Sequence, residues 1–440
     1  MDIGIIGAGD MGSLTAKLLD KAGYVVRVFD LPDRRSEVEK RLDGSGVKIL
    51  DDGNEVARKS DLVIYAVETT NLDRVVGEFG PQAKRYAAHG GLTSTKHPEM
   101  AAFQKHLPSN ANRVTCHQLY GPSTGPDGQA VVVMNVKSTP DVYNNVREAY
   151  SHLGSRVVEL STKEHDMITA DTQGLTHLGF QSVGTAWKNR GVFPWENLEY
   201  AGGIDNIKAL ITLRLYGAKP HVNSGVTIFN PYIGKRVDQY DRSANELFWL
   251  MLDRKEPELR ERVYRARDAI FGGKTSEPLL GDKLMGVFAL GNVPDNLMPN
   301  SQLMLLAEVD TWYHLLEADP IRKPNPYRHL LCQTANFRIR VGLAEYLFRN
   351  EDMLEASIEE SLRNTQGLKS HDAAFTSATK EWAITIRHGM KTGDPTLYHH
   401  RFETVQKFFG ERIAEGQRKS DKLIRIVTEA IKNSNGEKKN

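Results

Sequence analysis

Ile3-Gly4-Ile5-Ile6-Gly7-Ala8-Gly9-Asp10-Met11-Gly12 decides the fold: an apolar strand runs straight into a G-x-G-x-x-G turn, and helical spacing follows from Met11 to Lys21. In that order the glycines allow a tight turn, let backbone approach a pyrophosphate, and let helix and strand pack closely. The helix N-terminus adds free N–H groups and the positive end of its dipole. The next apolar run, Val25 to Phe29, ends at Asp30, 18 residues beyond Gly12 and placed to accept hydrogen bonds from an adenosine ribose. Gly7, Ala8, Gly9, Asp10, Met11, Gly12 and Asp30 are therefore read as a dinucleotide site. Its preference is left open by the residues alone. Asp30 repels a 2′-phosphate, whereas Arg34 and Arg35 can pair with one, or can be solvated charge on an exposed loop.

Working outward, Leu62 to Val67, Val114 to Cys116, Ala130 to Met134 and Val157 to Leu160 also read as strands, with another expected after Gly90-Gly91. Amphipathic stretches such as Thr139 to His152 lie between them. That alternation predicts an α/β Rossmann-like domain over 1–160, a mostly parallel doubly wound sheet covered on both faces and joined by right-handed crossovers. After Leu160 the rhythm changes. Ser161-Thr162-Lys163-Glu164 has the capping-box form, and a long helix is predicted from there to about Trp187. Further helical patterns at about 203–217, 240–271, 299–318, 335–363, 371–390 and 395–432 make 161–440 a large all-α domain. Breaks at Gly272-Gly273, Asn292-Val293-Pro294 and Lys323-Pro324-Asn325-Pro326 read as long loops, and the polar tail from Asn433 as frayed.

Composition excludes other classes. At 440 residues, with 40% hydrophobic and 26% charged, the chain has material for two or three packed units and is not a disordered tail. Its 57 Lys+Arg against 56 Asp+Glu give +1, so no global field draws in nucleic acid or a membrane, and anionic ligands must be caught locally. The longest apolar run, Ala130 to Met134, is strand-sized, far short of a span. Two cysteines, Cys116 and Cys332, suit a reducing compartment, and the first strand leaves no room for a cleavable leader; a cytoplasmic protein is expected. No metal-ligand spacing and no catalytic triad are seen.

Ligands of doubly wound sheets lie beyond the carboxyl ends of strands, which puts His117 first among candidates for chemistry. It closes the run Arg113 to Cys116, and a neutral imidazole there can take a proton from a substrate hydroxyl. Ser94 can orient His117 or touch substrate, or can simply cap the helix that starts near Pro98-Glu99. Asp166, Ala170, Gln173 and His177 share a face by helical spacing, either toward a polar substrate or as a hydrogen-bonded seam between helices. Arg214 sits inside the apolar run Leu210 to Tyr216, where a guanidinium needs a carboxylate, the protein's own or a substrate's.

In this order, Gly7 to Gly12, Thr93 to Lys96, Cys116-His117-Gln118-Leu119-Tyr120-Gly121-Pro122, Glu164 to Gln173, His177 and Leu213-Arg214-Leu215-Tyr216 resemble the prephenate dehydrogenases. The likeness is best to the long, monofunctional fungal type, described as NADP-dependent, and covers most of the chain. It implies oxidative decarboxylation of prephenate to 4-hydroxyphenylpyruvate in tyrosine synthesis, with NADP rather than NAD and a homodimer formed through the helical domain. It also implies His117 as the catalytic histidine, Ser94 as the serine bonded to it, and His177, Gln173 and Arg214 on the substrate. Gly174 departs from many bacterial members, which carry a further histidine there. The neighbouring readings are an arogenate dehydrogenase, a β-hydroxyacid dehydrogenase, which would want a lysine on the interdomain helix, and a non-catalytic NADP sensor.

Overall fold

The computed structural model describes residues 1–197, 202–272, 278–282, 285–286, 301–319, 321, 324–325, 335–363 and 366–437. The chain divides into two compact units, built on Met1–Asp166 and on Met167–Ala430. Gly273, Asn292 to Pro294, Lys323, Pro326 and Cys332 lie outside the described residues.

The first unit is an eight-stranded sheet: β1 (Asp2–Ile6), β2 (Val25–Phe29), β3 (Lys48–Ile49), β4 (Leu62–Tyr65), β5 (Ala88–Gly91), β6 (Asn112–Gln118), β7 (Ala130–Lys137) and β8 (Arg156–Glu159). The order β3-β2-β1-β4-β5-β6-β7-β8 makes β1 the switch point at which the winding reverses. Both faces are covered, as near-continuous apolar strands require. Ile3, Ile5, Val28 and Ile64 fill one side; Val63, Tyr65, Phe79 and Phe103 fill the other. Helices α1 (Asp10–Lys21), α2 (Arg35–Leu42), α3 (Gly53–Lys59), α4 (Leu72–Phe79), α5 (His97–His106) and α6 (Pro140–Ser151) supply the cover.

Two strands depart from the expected pattern. β7 runs antiparallel to β6 although its other neighbour β8 is parallel. The connection 119–129 holds no helix, and a parallel return needs a crossover of a dozen residues or more. β5 stops at Gly91, so Ser94 and Lys96 lie on a loop and not in a strand. A Cβ at Gly91 would sit 2.5 Å from Glu99 Oε1, which explains a glycine where that carboxylate enters.

Beyond the sheet, α7 (Thr162–Thr169) starts with the predicted capping box: Ser161 N–H donates to Glu164 Oε2 at 2.9 Å and Glu164 N–H to Ser161 Oγ at 3.2 Å. The long helix is not uniform. A π-turn over Ala170–Gly174 separates α7 from α8 (Leu175–Arg190), and its extra residue takes the spacing of Asp166, Ala170, Gln173 and His177 out of ideal register. Such turns are frequent at functional sites.

The second unit is helical: α8, α9 (Gly203–Tyr216), α10 (Pro220–Thr227), α11 (Ile233–Leu252), α12 (Glu256–Phe271), α13 (Leu303–Ala318), α14 (Ala335–Arg349), α15 (Glu351–Leu362), α16 (Gln366–Thr392), α17 (Thr396–Phe409) and α18 (Arg412–Glu437). Every residue of α8 from Leu175 to Trp187 is buried, which makes it the axis around which α9, α16 and α17 pack. Periodicity merged helices that local chemistry separates. Arg254, at φ 53°, breaks the predicted 240–271 run ahead of Pro257, and Asn350 caps α15 through Met353 N–H. The tail expected to fray after Asn433 stays helical to Glu437.

Candidate active site

The glycine loop shows the close approaches its sequence required. Gly7 has φ +100°, and a Cβ on Gly12 would lie 2.1 Å from Gly7 O. At Gly9 a Cβ would meet nothing within 4 Å, and α1 has no side-chain cap, so its first N–H groups remain for an anion. A pyrophosphate fits this arrangement. Asp30 accepts Ala8 N–H at 2.7 Å and Leu31 N–H at 2.8 Å, holding the loop against the end of β2. Arg34 leans to Asp30 at 3.4 Å and Glu37 at 3.3 Å, while Arg35 pairs with Glu39 at 2.7 Å and Asp51 at 2.6 Å. These half-exposed pairs are weak and exchangeable, so either arginine can turn to a 2′-phosphate. Asp10 is held by Arg41, which the sequence reading missed because the two are 31 residues apart.

His117, near the end of β6, is 4% exposed. Its Nδ1 lies 2.8 Å from His165 Nε2, and His165 Nδ1 lies 2.8 Å from Asp166 Oδ1, so three side chains form one line. A carboxylate can only accept, and Asp166 also accepts the N–H groups of Lys96 and His97 at 2.8 Å each. His165 must then donate from Nδ1 and accept at Nε2, which makes His117 donate from Nδ1. The lone pair of His117 Nε2 is left as the base. Burial holds the His117 imidazole well below the ordinary histidine range, and the nearby His165 and Lys96 push it the same way. Burial also lowers His165, against the pull of Asp166. His117 is thus neutral and ready to take a proton at physiological pH.

Under this line lies a fully buried pair, Lys96 and Glu99, 2.8 Å apart. Lys96 Nζ also donates to Cys116 O at 2.6 Å and Gly91 O at 3.2 Å, and Thr115 Oγ1 donates to Glu99 Oε2 at 2.6 Å. The network ties loop 93–97 to the end of β6 just before His117. Ser94 is half-buried on that loop, and among the described residues no hydrogen bond joins it to His117; the Nδ1 partner is His165. Sequence reasoning missed His165, although it adjoins Asp166, because helical-face counting skipped it. It missed Lys96 and Glu99 because charged residues are expected at the surface.

In the second unit His177 is 4% exposed and its Nδ1 has no partner, while burial and the charge of Arg340 hold its imidazole well below the usual range. Gln173 is half-buried at the end of the π-turn. Arg214 bonds through Nη1 to Asp421 and, at 3.4 Å, to Ser420 Oγ, both on α18. A protein carboxylate thus stands where a substrate carboxylate was one of the two expected partners. Gly174 abuts Ile233, whose Cδ1 would be 2.3 Å from a Cβ, so a histidine has no room there. Among the described residues no cluster of His, Cys, Asp and Glu could hold a metal ion, and no helix is long and apolar enough to cross a membrane.

A dinucleotide cradle at the switch point and a neutral, oriented histidine at a neighbouring strand end are the equipment of a nicotinamide-dependent dehydrogenase. Residues 174–429 match a 6-phosphogluconate dehydrogenase C-terminal domain family, and 2–87 match the family of NADP oxidoreductases described as coenzyme F420-dependent. A probable prephenate dehydrogenase [NADP(+)] of Schizosaccharomyces pombe is 36% identical, over 98% of each chain. The prephenate dehydrogenase [NADP(+)] of Saccharomyces cerevisiae is also 36% identical, over 100% of this chain and 96% of its own. The crystal structure of prephenate dehydrogenase from Aquifex aeolicus aligns at 17% identity with a TM-score of 0.46, covering 59% of this chain and 95% of that one. This chain belongs to the prephenate dehydrogenase family.

Proposed function

We propose that the chain oxidises and decarboxylates prephenate to 4-hydroxyphenylpyruvate, with NADP, in tyrosine biosynthesis. The carrying observation is the Asp166–His165–His117 line, which leaves a bare Nε2 on a buried, neutral imidazole. NADP, when bound, supplies the acceptor for the hydride that leaves the hydroxyl-bearing ring carbon. Gly7, Ala8, Gly9, Asp10, Met11 and Gly12 would hold its pyrophosphate, Asp30 its ribose, and Arg34 and Arg35 its 2′-phosphate. His117 Nε2 takes the hydroxyl proton as the ring carbonyl forms, and the positive charge that arises is spread toward His165 and stabilised by Asp166. Loss of carbon dioxide aromatises the ring, and the proton returns to the phenolate oxygen. The account balances as prephenate plus NADP giving hydroxyphenylpyruvate, carbon dioxide and NADPH. Aromatisation drives the second step, so it asks for no metal and no covalent nucleophile.

Ser94 is assigned to the loop that faces the reacting hydroxyl, acting on substrate more than on His117. His177 and Gln173 are assigned to polar groups of the substrate, and Arg214, whose Nη1 alone is engaged, to a carboxylate through its remaining donors. A cytoplasmic homodimer assembled through the helical unit completes the proposal. Buried free Cys116 and the exposed Trp249 and Ile384 are in keeping with it. The test is steady-state turnover of prephenate with NADP by wild type and His117→Asn. The proposal requires loss of turnover in the variant with NADP affinity unchanged, and equal rates in the two proteins would remove His117 from the chemistry.

A further inference from the structure

Helix α14 belongs to the part of the chain past residue 300 to which no role has been given. Its Arg340 is half-buried, and its Nη1 donates to Thr176 Oγ1 at 3.3 Å. The guanidinium lies over the ring of Phe180, 5.8 Å from its centroid. Thr176 and Phe180 are one turn apart on α8 and flank His177, so Arg340 is laid against the turn that carries that histidine.

Three polar groups meet here without settled partners. Arg340 has no carboxylate within ion-pairing distance among the described residues, unlike Arg214, which Asp421 holds. His177 Nδ1 is buried and unbonded. Glu308 on α13 is 1% exposed, and neither of its carboxyl oxygens has a hydrogen bond. Buried polar groups in folded proteins nearly always find partners, and a guanidinium brought into an apolar helical unit needs an anion. Glu308 does not supply one: burial pushes its carboxyl up to about 8, so it is mostly neutral at pH 7. Burial and the charge of Arg214 bring Arg340 itself down to about 10, which still leaves it a cation.

We propose that Arg340 is a substrate-binding residue that grips a carboxylate of the dicarboxylate substrate, with His177 beside it, and that the group it holds is the side-chain carboxylate kept in the product. The choice between the two carboxylates follows from the reaction. A cation clamped on the ring carboxylate would stabilise the ground state and lose its partner as neutral carbon dioxide leaves, which slows the step; a cation on the retained group binds substrate and transition state alike. The inference rests on prephenate being the substrate.

Arg340→Gln and Arg340→Lys, made in the full chain, test it. With NADP saturating, Arg340→Gln is expected to raise KM for prephenate about 100-fold, and Arg340→Lys about 10-fold, since lysine keeps the charge but not the fork. Calorimetric titration with 4-hydroxyphenylpyruvate, which retains only the side-chain carboxylate, is expected to show the same weakening. NADP affinity and the thermal midpoint check that the protein is folded; if Arg340→Gln does not fold, Arg340→Lys decides. A wild type that does not turn over prephenate defeats the functional reading before any variant is compared. With wild-type turnover established, a KM within twofold in both variants overturns the inference. A raised KM with product binding unchanged overturns the assignment to the retained carboxylate.

Discussion

Replacing Asp166 by Asn tests the base line by removing a charge while keeping the shape. Asp166 takes Lys96 N–H and His165 on Oδ1 and His97 N–H on Oδ2. An asparagine with its oxygen at Oδ1 preserves the first two bonds and meets conflict only at His97; the flipped amide conflicts at Lys96 and inverts His165 as well. The first arrangement wins, so the tautomers survive and the charge alone is lost. With 5.0 Å between the two ring centroids and a 2.8 Å bond onward to the carboxylate, that charge stands about 8 Å from the His117 ring. At an effective dielectric constant of about 20 this is worth about 2 kcal/mol to an imidazolium forming on His117, or roughly a 30-fold fall in kcat/KM. The missing anion also makes His117 harder to protonate, so the acid limb of the pH profile moves to lower pH as the plateau falls. Stopped assays of kcat/KM against pH on wild type and variant read both effects. A plateau within threefold of wild type, or a limb that moves upward, would refute the reasoning.

Other expectations follow from the same geometry. His117→Asn is expected to lower kcat by about 10²- to 10⁴-fold, with NADP binding, followed by fluorescence titration, left as it was. Because burial depresses the His117 imidazole, kcat/KM in wild type should stay level as pH falls through 6.5; a limb centred above 7 would contradict a buried neutral base. Stability should behave differently. His89 is pushed down to about 4, and His117 and His177 lie well below their unfolded value of ~6.5, so their contribution is complete above ~6.5 and is lost as pH falls toward the folded values. Melting temperatures at pH 7.5 and 5 check the sign. Arg34→Ala with Arg35→Ala should raise KM for NADP about 10- to 100-fold and leave NAD unaffected, since each arginine offers a charge-assisted bond to a 2′-phosphate. Gly174→His, which drives a side chain into Ile233, should cost about 1–3 kcal/mol in denaturant unfolding.

The glycine loop could be read without a structure because each glycine answers a local demand, a positive φ at Gly7 or a backbone oxygen facing Gly12. His117 was legible for a similar reason, as a polar residue ending an apolar strand. Residues that work through long-range partners were not. Asp166 looked like part of a substrate face, whereas its carboxylate anchors residues 70 and 69 positions earlier in the chain. A π-turn leaves no trace in apolar periodicity, so the face count ran straight through Ala170–Gly174. Arg214 shows the limit most plainly: an arginine in an apolar run announces the need for an anion but not which one, and Asp421 lies 207 residues away. Arg340 raised no such signal because Arg338 and Arg349 make its helix look like an ordinary charged surface.

The most direct measurement is the growth of near-ultraviolet absorbance from reduced nicotinamide when purified protein meets prephenate and NADP, with NAD and arogenate run in parallel. The account predicts rapid growth with prephenate and NADP and slower growth in the other three combinations. A folded sample that reduces neither cofactor with either substrate would contradict it.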